Sequence, residues 1–182
     1  MTPHQYKIIF SGPQGAGKTT AIATISDIPP VRTDASTREE GATRYGKEGI
    51  TVAMDYGLMK LASGDKIHLY GTPGQERFNF MWEILCEGGL GLVLLIDNAR
   101  ADPLADLEFF LTAFQAFIQH TELAIGVTRM DLQAMPSLSQ YREKLQHLAL
   151  NPPLFQVDAR NKRDVSLLLQ ALLFSLDPGL EN

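Results

Sequence analysis

"FSGPQGAGKTT", residues Phe10–Thr20, is the stretch on which the fold turns. Glycines at 12, 15 and 17 lead into Lys18, Thr19 and Thr20, which matches the pattern G-x-x-x-x-G-K-[ST]. The β-rich run "YKIIF" lies ahead of it and the helix-compatible "TTAIATI" behind it. Strand, glycine-rich turn and helix start are the setting in which such a string folds as a P-loop. Backbone N–H groups of the turn converge on phosphate, and the helix N-terminus adds its positive end. The phosphate-binding residues expected from this stretch are Gly12, Gln14, Gly15, Ala16, Gly17, Lys18, Thr19 and Thr20. Lys18 would reach the β/γ oxygens as a point charge, and the Thr19 hydroxyl would ligate Mg²⁺. The bland alternative is an accidental glycine-rich turn, which the flanking strand and helix disfavour.

Outward from the loop, strand-like runs recur at 6–11, 50–57, 66–72, 90–97, 123–128 and 154–159. Helix-length segments lie at 17–26, 77–87, 103–119, 138–148 and 162–175. The runs 90–97 and 123–128 are nearly all apolar, as strands covered on both faces should be. Asp102 before Pro103 reads as an N-cap and first-turn pair. The phenylalanines at 109, 110, 114 and 117 behind it read as core. Between 50–57 and 66–72, Ser63-Gly64-Asp65 reads as a hairpin turn. The expected architecture is α/β, a P-loop NTPase fold. It has a six-stranded, mostly parallel sheet with one antiparallel strand and helices on both faces. Ligands of such sheets sit beyond the carboxyl ends of the strands, where this loop begins. Residues 29–49 form a long polar connection, read as a solvated functional loop.

A chain of 182 residues is most simply one domain, spanning 1–182. A net charge of −5 offers no attraction to nucleic acid or anionic membrane. The single cysteine, Cys86, allows no internal disulfide, fits a reducing compartment and reads as a buried structural thiol. No apolar run reaches transmembrane length, and neither a signal peptide nor a lipidation motif is visible. The expectation is a cytoplasmic protein with no direct membrane anchor.

The next distinctive string is "LYGTPGQERF", residues 69–78. A P-loop followed by G-Q-E-R-F at the end of the third predicted strand resembles a Ras-like small GTPase. More narrowly, "TVAMDYG" and "LYGTPGQERF" resemble the prokaryotic branch. That branch includes the MglA-type gliding-motility GTPases and the GTP-binding proteins of actinobacterial conservon operons. The resemblance implies that Thr51 is the switch I threonine, completing with Thr19 the protein part of a Mg²⁺ shell. It implies that Gly74 offers its N–H to the γ-phosphate and that Gln75 orients the attacking water. The catalytic set is then Gln75, Lys18 and Thr51.

Two departures stand out. Gly71 occupies the place of the family's Mg²⁺-holding Asp, which the gliding-motility proteins also lack. Magnesium would then rely on Thr19, Thr51, waters and phosphates. Gln14 crowds the space through which an activator's arginine finger would enter. Arg38, Arg44 or Arg77 would instead supply an arginine from within.

Guanine selection in the family rests on Asn-Lys-x-Asp, and here Thr128-Arg129-Met130-Asp131 lies on that motif. Asp131 keeps the carboxylate that accepts from guanine N1 and N2. Arg129 replaces the lysine over the base, and Thr128 shortens or loses a tie to the P-loop. Asp158-Ala159-Arg160 falls on the Ser-Ala-Lys element, with the Ala159 N–H facing guanine O6. The resemblance therefore implies a GTP/GDP switch that acts on a regulatory or effector protein, by analogy a roadblock-type dimer. Phe78, Phe80, Met81 and Trp82 are too many large apolar residues for one helical face, so some are expected on a partner surface. Two rivals remain. One is a pseudo-GTPase scaffold with little turnover. The other is a P-loop ATPase or kinase with Asp97 as its Walker B carboxylate.

Overall fold

The computed structural model describes residues 4–37, 50–76 and 79–176. The chain first forms strand β1 (Gln5–Ser11), helix α1 (Lys18–Ile25) and strands β2 (Val31–Thr37), β3 (Ile50–Lys60) and β4 (Lys66–Gly71). Helix α2 (Asn79–Cys86), β5 (Gly91–Asp97), α3 (Pro103–Ala113), α4 (Gln115–Ile118) and β6 (Glu122–Thr128) follow. The described part closes with α5 (Leu138–His147), β7 (Leu154–Gln156) and α6 (Lys162–Leu176).

All strands among the described residues join one sheet in the order β2-β3-β4-β1-β5-β6-β7. β1 pairs in parallel with β4 and β5, and β6 and β7 extend that side in parallel. β3 is antiparallel to both of its neighbours, so it alone runs against the rest. The six expected strands and the single reversal are present.

The seventh strand, β2, arises within the segment read as a loop. β4 pairs only with the Asp55–Lys60 half of β3, so the Ile50–Met54 half would lack hydrogen-bond partners without β2. The sequence "VRTDAST" offers no apolar alternation, because an edge strand need not bury a face.

Side chains alternate across the sheet and feed two cores. Ile8, Phe10, Ile67, Leu69, Val93 and Leu95 meet α1 and α6 on one face. Ile9, Leu92, Leu94 and Ile96 meet α2, α3 and α5 on the other. Every residue of β5 is buried, which is why its sequence lacks polar alternation. Each aliphatic side chain buried this way stabilises the fold by about 1.5–3 kcal/mol.

Local signals act as read. Asp102 accepts from the Ala105 N–H at 3.0 Å, with Pro103 opening α3. The Ser63–Asp65 turn closes through Leu61 N–H to Asp65 O at 2.8 Å. The expected helix over 103–119 is instead two, α3 and α4, broken at Phe114 without a proline or glycine. Phe110 and Phe114 are buried, whereas Phe109 remains 38 % exposed. Half-buried Cys86 has its thiol pushed up to about 11 by burial, which keeps it unreactive.

Candidate nucleotide-binding site

The loop after β1 is shaped by its neighbours. Gly12 has φ +137°, and a Cβ there would run into the Leu95 carbonyl oxygen of β5. Only glycine accepts that combination. The Ser11 and Thr72 hydroxyls share a buried hydrogen bond of 2.8 Å, and the Thr72 N–H donates to Phe10 O at 2.9 Å. The loop's start is therefore tied to the segment after β4. Lys18 turns back and donates to the Gly12 and Pro13 carbonyls, both at 2.7 Å. Burial pushes its pKa down to about 8; the nearby Asp55 carboxylate opposes the shift and Arg100 adds to it. A desolvated ammonium held by two carbonyls is a pre-oriented cation awaiting an anion.

Beside Lys18, the Thr19 hydroxyl donates to the Asp55 carboxylate. Asp55 stands on β3 directly across from Gly71 of β4. A Cβ on Gly71 would lie 3.0 Å from the Asp55 Cβ and 3.2 Å from its Oδ2. The space that an Asp at 71 would claim is thus filled by a carboxylate reaching over from the neighbouring strand. The sequence reading missed Asp55, although it stood inside the quoted "TVAMDYG". Only the β3–β4 register brings it to Thr19. The Thr19 hydroxyl and a carboxylate are hard oxygen donors, so the residues present fit Mg²⁺. Among the described residues no group of three or more His, Cys, Asp or Glu could hold a metal. Thr51, expected as the second hydroxyl ligand, pairs with Ser36 across β2 and β3; its side chain lies outside the described set.

Ten of the expected residues line one cavity of about 250 Å³: Gly15, Ala16, Gly17, Thr20, Thr128, Arg129, Asp131, Asp158, Ala159 and Arg160. Leu132 and Val157 add apolar walls that the sequence reading did not name. Thr128 is buried, and its hydroxyl donates to Ala16 O at 3.1 Å and Ile96 O at 3.2 Å. Of the two outcomes expected for the tie from this loop to the P-loop, shortened or lost, the structure shows the first, because β6 carries Thr128 close enough for a short side chain to reach.

Arg129, expected over the base, lines this cavity and also makes an ion pair. Its guanidinium pairs at 2.5 Å with Asp97, whose side chain is only 4 % exposed. A buried carboxylate at a strand end requires such a partner. Asp97 also accepts from the Ala99 N–H at 2.9 Å. Its two oxygens are thus taken by the Ala99 N–H and Arg129, and the carboxylate that accepts from the P-loop threonine is Asp55.

At the cavity mouth Asp158 accepts from Arg160 Nε at 2.9 Å and Nη2 at 2.8 Å, which pulls the carboxyl down to about 2. Below the mouth, Thr24 donates to Ala159 O at 2.8 Å, joining α1 to this loop. The loop after Arg129 hangs on Asn98, which donates to Gln133 O at 2.6 Å and Pro136 O at 3.2 Å. Asn98 is itself held by the buried Tyr141 hydroxyl at 2.8 Å. Neither residue carried a motif signal.

The segment after β4, expected to be the second switch, meets the P-loop at Gln14 and Lys18. A Cβ on Gly74 would lie 2.6 Å from Gln14 N and 2.7 Å from Lys18 Nζ. Gln75 Nε2 donates to Gln14 Oε1 at 3.3 Å. Arg38, Arg44, Arg77 and Phe78 lie outside the described residues. Met81 and Trp82 are buried, whereas Phe80 is 48 % exposed.

The P-loop after β1 thus carries a hydroxyl–carboxylate pair beside its lysine, and its residues 15–17 and 20 form one wall of a cavity that runs to the loops after β6 and β7. The family model described as "conserved hypothetical ATP binding protein" matches residues 10–174. The chain belongs to that family. This makes it a P-loop nucleotide-binding protein. It is 32 % identical over 108 residues to an uncharacterized protein of Methanocaldococcus jannaschii. That match covers 59 % of this chain and 61 % of the archaeal protein, so less than two thirds of that relative is spanned. It is 22 % identical over 178 residues to the Ras-related protein Rab-27A of Sus scrofa, covering 92 % of this chain and 76 % of that protein. The prokaryotic gliding-motility branch is not among these relatives. No helix among the described residues is long and apolar enough to cross a membrane.

Proposed function

We propose that the protein binds a guanine nucleotide with Mg²⁺, hydrolyses GTP slowly and switches a protein partner between two states. The observation that carries the reading is the meeting of Gln75 with Gln14 beside Lys18. A side-chain amide at that point is suited to orient water for attack on a terminal phosphate. Lys18 supplies charge to the phosphate oxygens, and Gly74 adds a backbone donor. Thr19 and Asp55 would hold Mg²⁺, directly or through its waters, and Thr51 would join them; the ion would neutralise charge on the β- and γ-phosphates.

Base choice falls to Asp131, an exposed carboxylate on the cavity wall and an acceptor for guanine N1 and N2. Thr128 and Asn98 support its loop, and the Ala159 N–H would serve O6. The partner would be a regulatory or effector protein, and the roadblock-type dimer rests on analogy alone. Exposed Phe80 and Ile84 on α2 suit such a surface, which would change with nucleotide.

A second reading follows the family description: an ATP-binding protein using the same phosphate site. Competition of a fluorescent GDP analogue by GDP, GTP and ADP, with and without Mg²⁺, separates the two. Single-turnover hydrolysis by wild type and Gln75→Leu completes the test. The switch reading expects guanine preference, Mg²⁺ dependence and turnover in Gln75→Leu slowed to a measurable residual rate. Equal competition by ADP would remove the guanine assignment. Binding without turnover in either protein would leave a nucleotide-holding scaffold.

A further inference from the structure

The indole of Trp82 sits at the junction between the second switch segment and α3. It is 3 % exposed. Its ring stacks on Phe110 with centroids 5.2 Å apart and on Phe114 at 5.1 Å. Phe109 meets it edge-on at 6.3 Å. Two rings from α3 and a third from Phe114, at the break that follows it, hold the indole in a single orientation, so its N–H direction is set by packing. That N–H donates to the Pro73 carbonyl at 3.0 Å. Pro73 is buried and has no N–H of its own, so its carbonyl is its one main-chain hydrogen-bonding group. The next residue, Gly74, lies against the P-loop with no room for a Cβ. The one after, Gln75, meets Gln14.

We propose that Trp82 is a positioning residue. Its indole N–H, acting through the Pro73 carbonyl, sets the angle at which Gly74 and Gln75 meet the P-loop. This role rests on the reading of Gln75 as the water-orienting group. The segment enters from β4 already tied by the Ser11–Thr72 hydroxyl pair. A tie at Thr72 alone leaves the peptide after Pro73 free to rotate. The indole supplies the second fixed point, two residues before Gln75. Without it the Pro73 carbonyl stays buried and unpaired, a strain relieved by turning toward water and carrying Gln75 with it. Displacements of about 1 Å in a positioning group can cost about a hundredfold in rate.

Trp82 is the only tryptophan in the chain, so an analogue supplied in its place alters this position alone. The test compares wild type, Trp82→Phe and a protein carrying benzothienylalanine at 82, which keeps the ring shape and removes the donor. Each is measured for GDP affinity and for single-turnover hydrolysis of whichever of GTP or ATP the wild type consumes. The same changes are repeated in Gln75→Leu. The expected result is GDP affinity within about twofold of wild type and hydrolysis slowed at least about tenfold in both donor-less forms. No further slowing is expected in Gln75→Leu, because a residue acting through Gln75 has nothing left to position. An unchanged rate in the analogue protein, or an equal fall in Gln75→Leu, overturns the role. So does a parallel loss of GDP affinity, which would mark a purely structural part. Turnover in wild type with any of these outcomes sinks the Trp82 role alone. Absence of turnover in wild type sinks the hydrolytic reading and this role together.

Discussion

The two ends of the candidate nucleotide site are held by different means. At the phosphate end the functional groups are buried and tied to one another: Lys18 to two carbonyls, Thr19 to Asp55, Ser11 to Thr72. At the other end, proposed to take the base, Asp131 and Arg160 are exposed, and the buried ties lie behind them in Thr128, Asn98 and Tyr141. Phosphate charge demands desolvated, pre-oriented donors whatever base is attached. Base discrimination needs one well-aimed acceptor whose loop cannot drift. The difference teaches that departures from a motif have different consequences at the two ends. A lost charge must be supplied from elsewhere, whereas a lost side-chain tie can be shortened if the backbone comes closer.

Three experiments sharpen or break that contrast. The largest effect is expected at the base end. Asp131→Ala should lower the preference for GDP over ADP by about 10²-fold or more while leaving Mg²⁺ dependence intact, read by competition binding. If preference survives, the exposed carboxylate is not the reader.

The next effect belongs to the phosphate end. Asp55→Asn should weaken Mg²⁺-supported nucleotide binding by about 10- to 100-fold, as loss of an orienting carboxylate does at other metal sites. Gly71→Asp alone should destabilise the protein, because its new side chain meets Asp55 and Ile22 at 3.0 Å. The exchange Asp55→Gly with Gly71→Asp returns one carboxylate to the same space and should recover most of the Mg²⁺ response. Failure of the exchange, with both single variants folded, would mean that Asp55 only caps Thr19.

The smallest effect is in pH. Lys18 stands at about 8 when folded and at 10.5 unperturbed, while bound phosphate charge favours its protonated form. Nucleotide affinity should therefore fall as pH rises past about 8, by up to about tenfold per unit, with proton uptake on binding. Calorimetry in buffers of different ionisation heats reads that uptake. Stability of the free protein should move the other way. Between about 8 and 10.5 the unfolded chain binds more protons, so this lysine's contribution to stability rises with pH. A flat affinity profile would mean that the Lys18 charge is not engaged by phosphate.

Much of this was legible before any coordinates. "GPQGAGKTT" carried its own conformational instruction, since glycines, lysine and hydroxyls at that spacing between a strand and a helix leave one geometry. The apolar runs at 90–97 and 123–128 announced central strands because both of their faces are buried. Residues that meet within one loop, or at one strand end, could be grouped by spacing alone. What only the tertiary structure decided was each pairing between segments distant in the chain. Asp55 reaches Thr19 through a strand register, Arg129 turns to Asp97 because that carboxylate is buried, and Thr128 reaches Ala16 because β6 and the P-loop converge. The β2 strand was hidden for the same reason: an edge is made by the hydrogen-bonding needs of its neighbour, and a polar sequence can satisfy them. Local chemistry is written residue by residue, whereas compensation across strands exists only once the sheet has set which residues face each other.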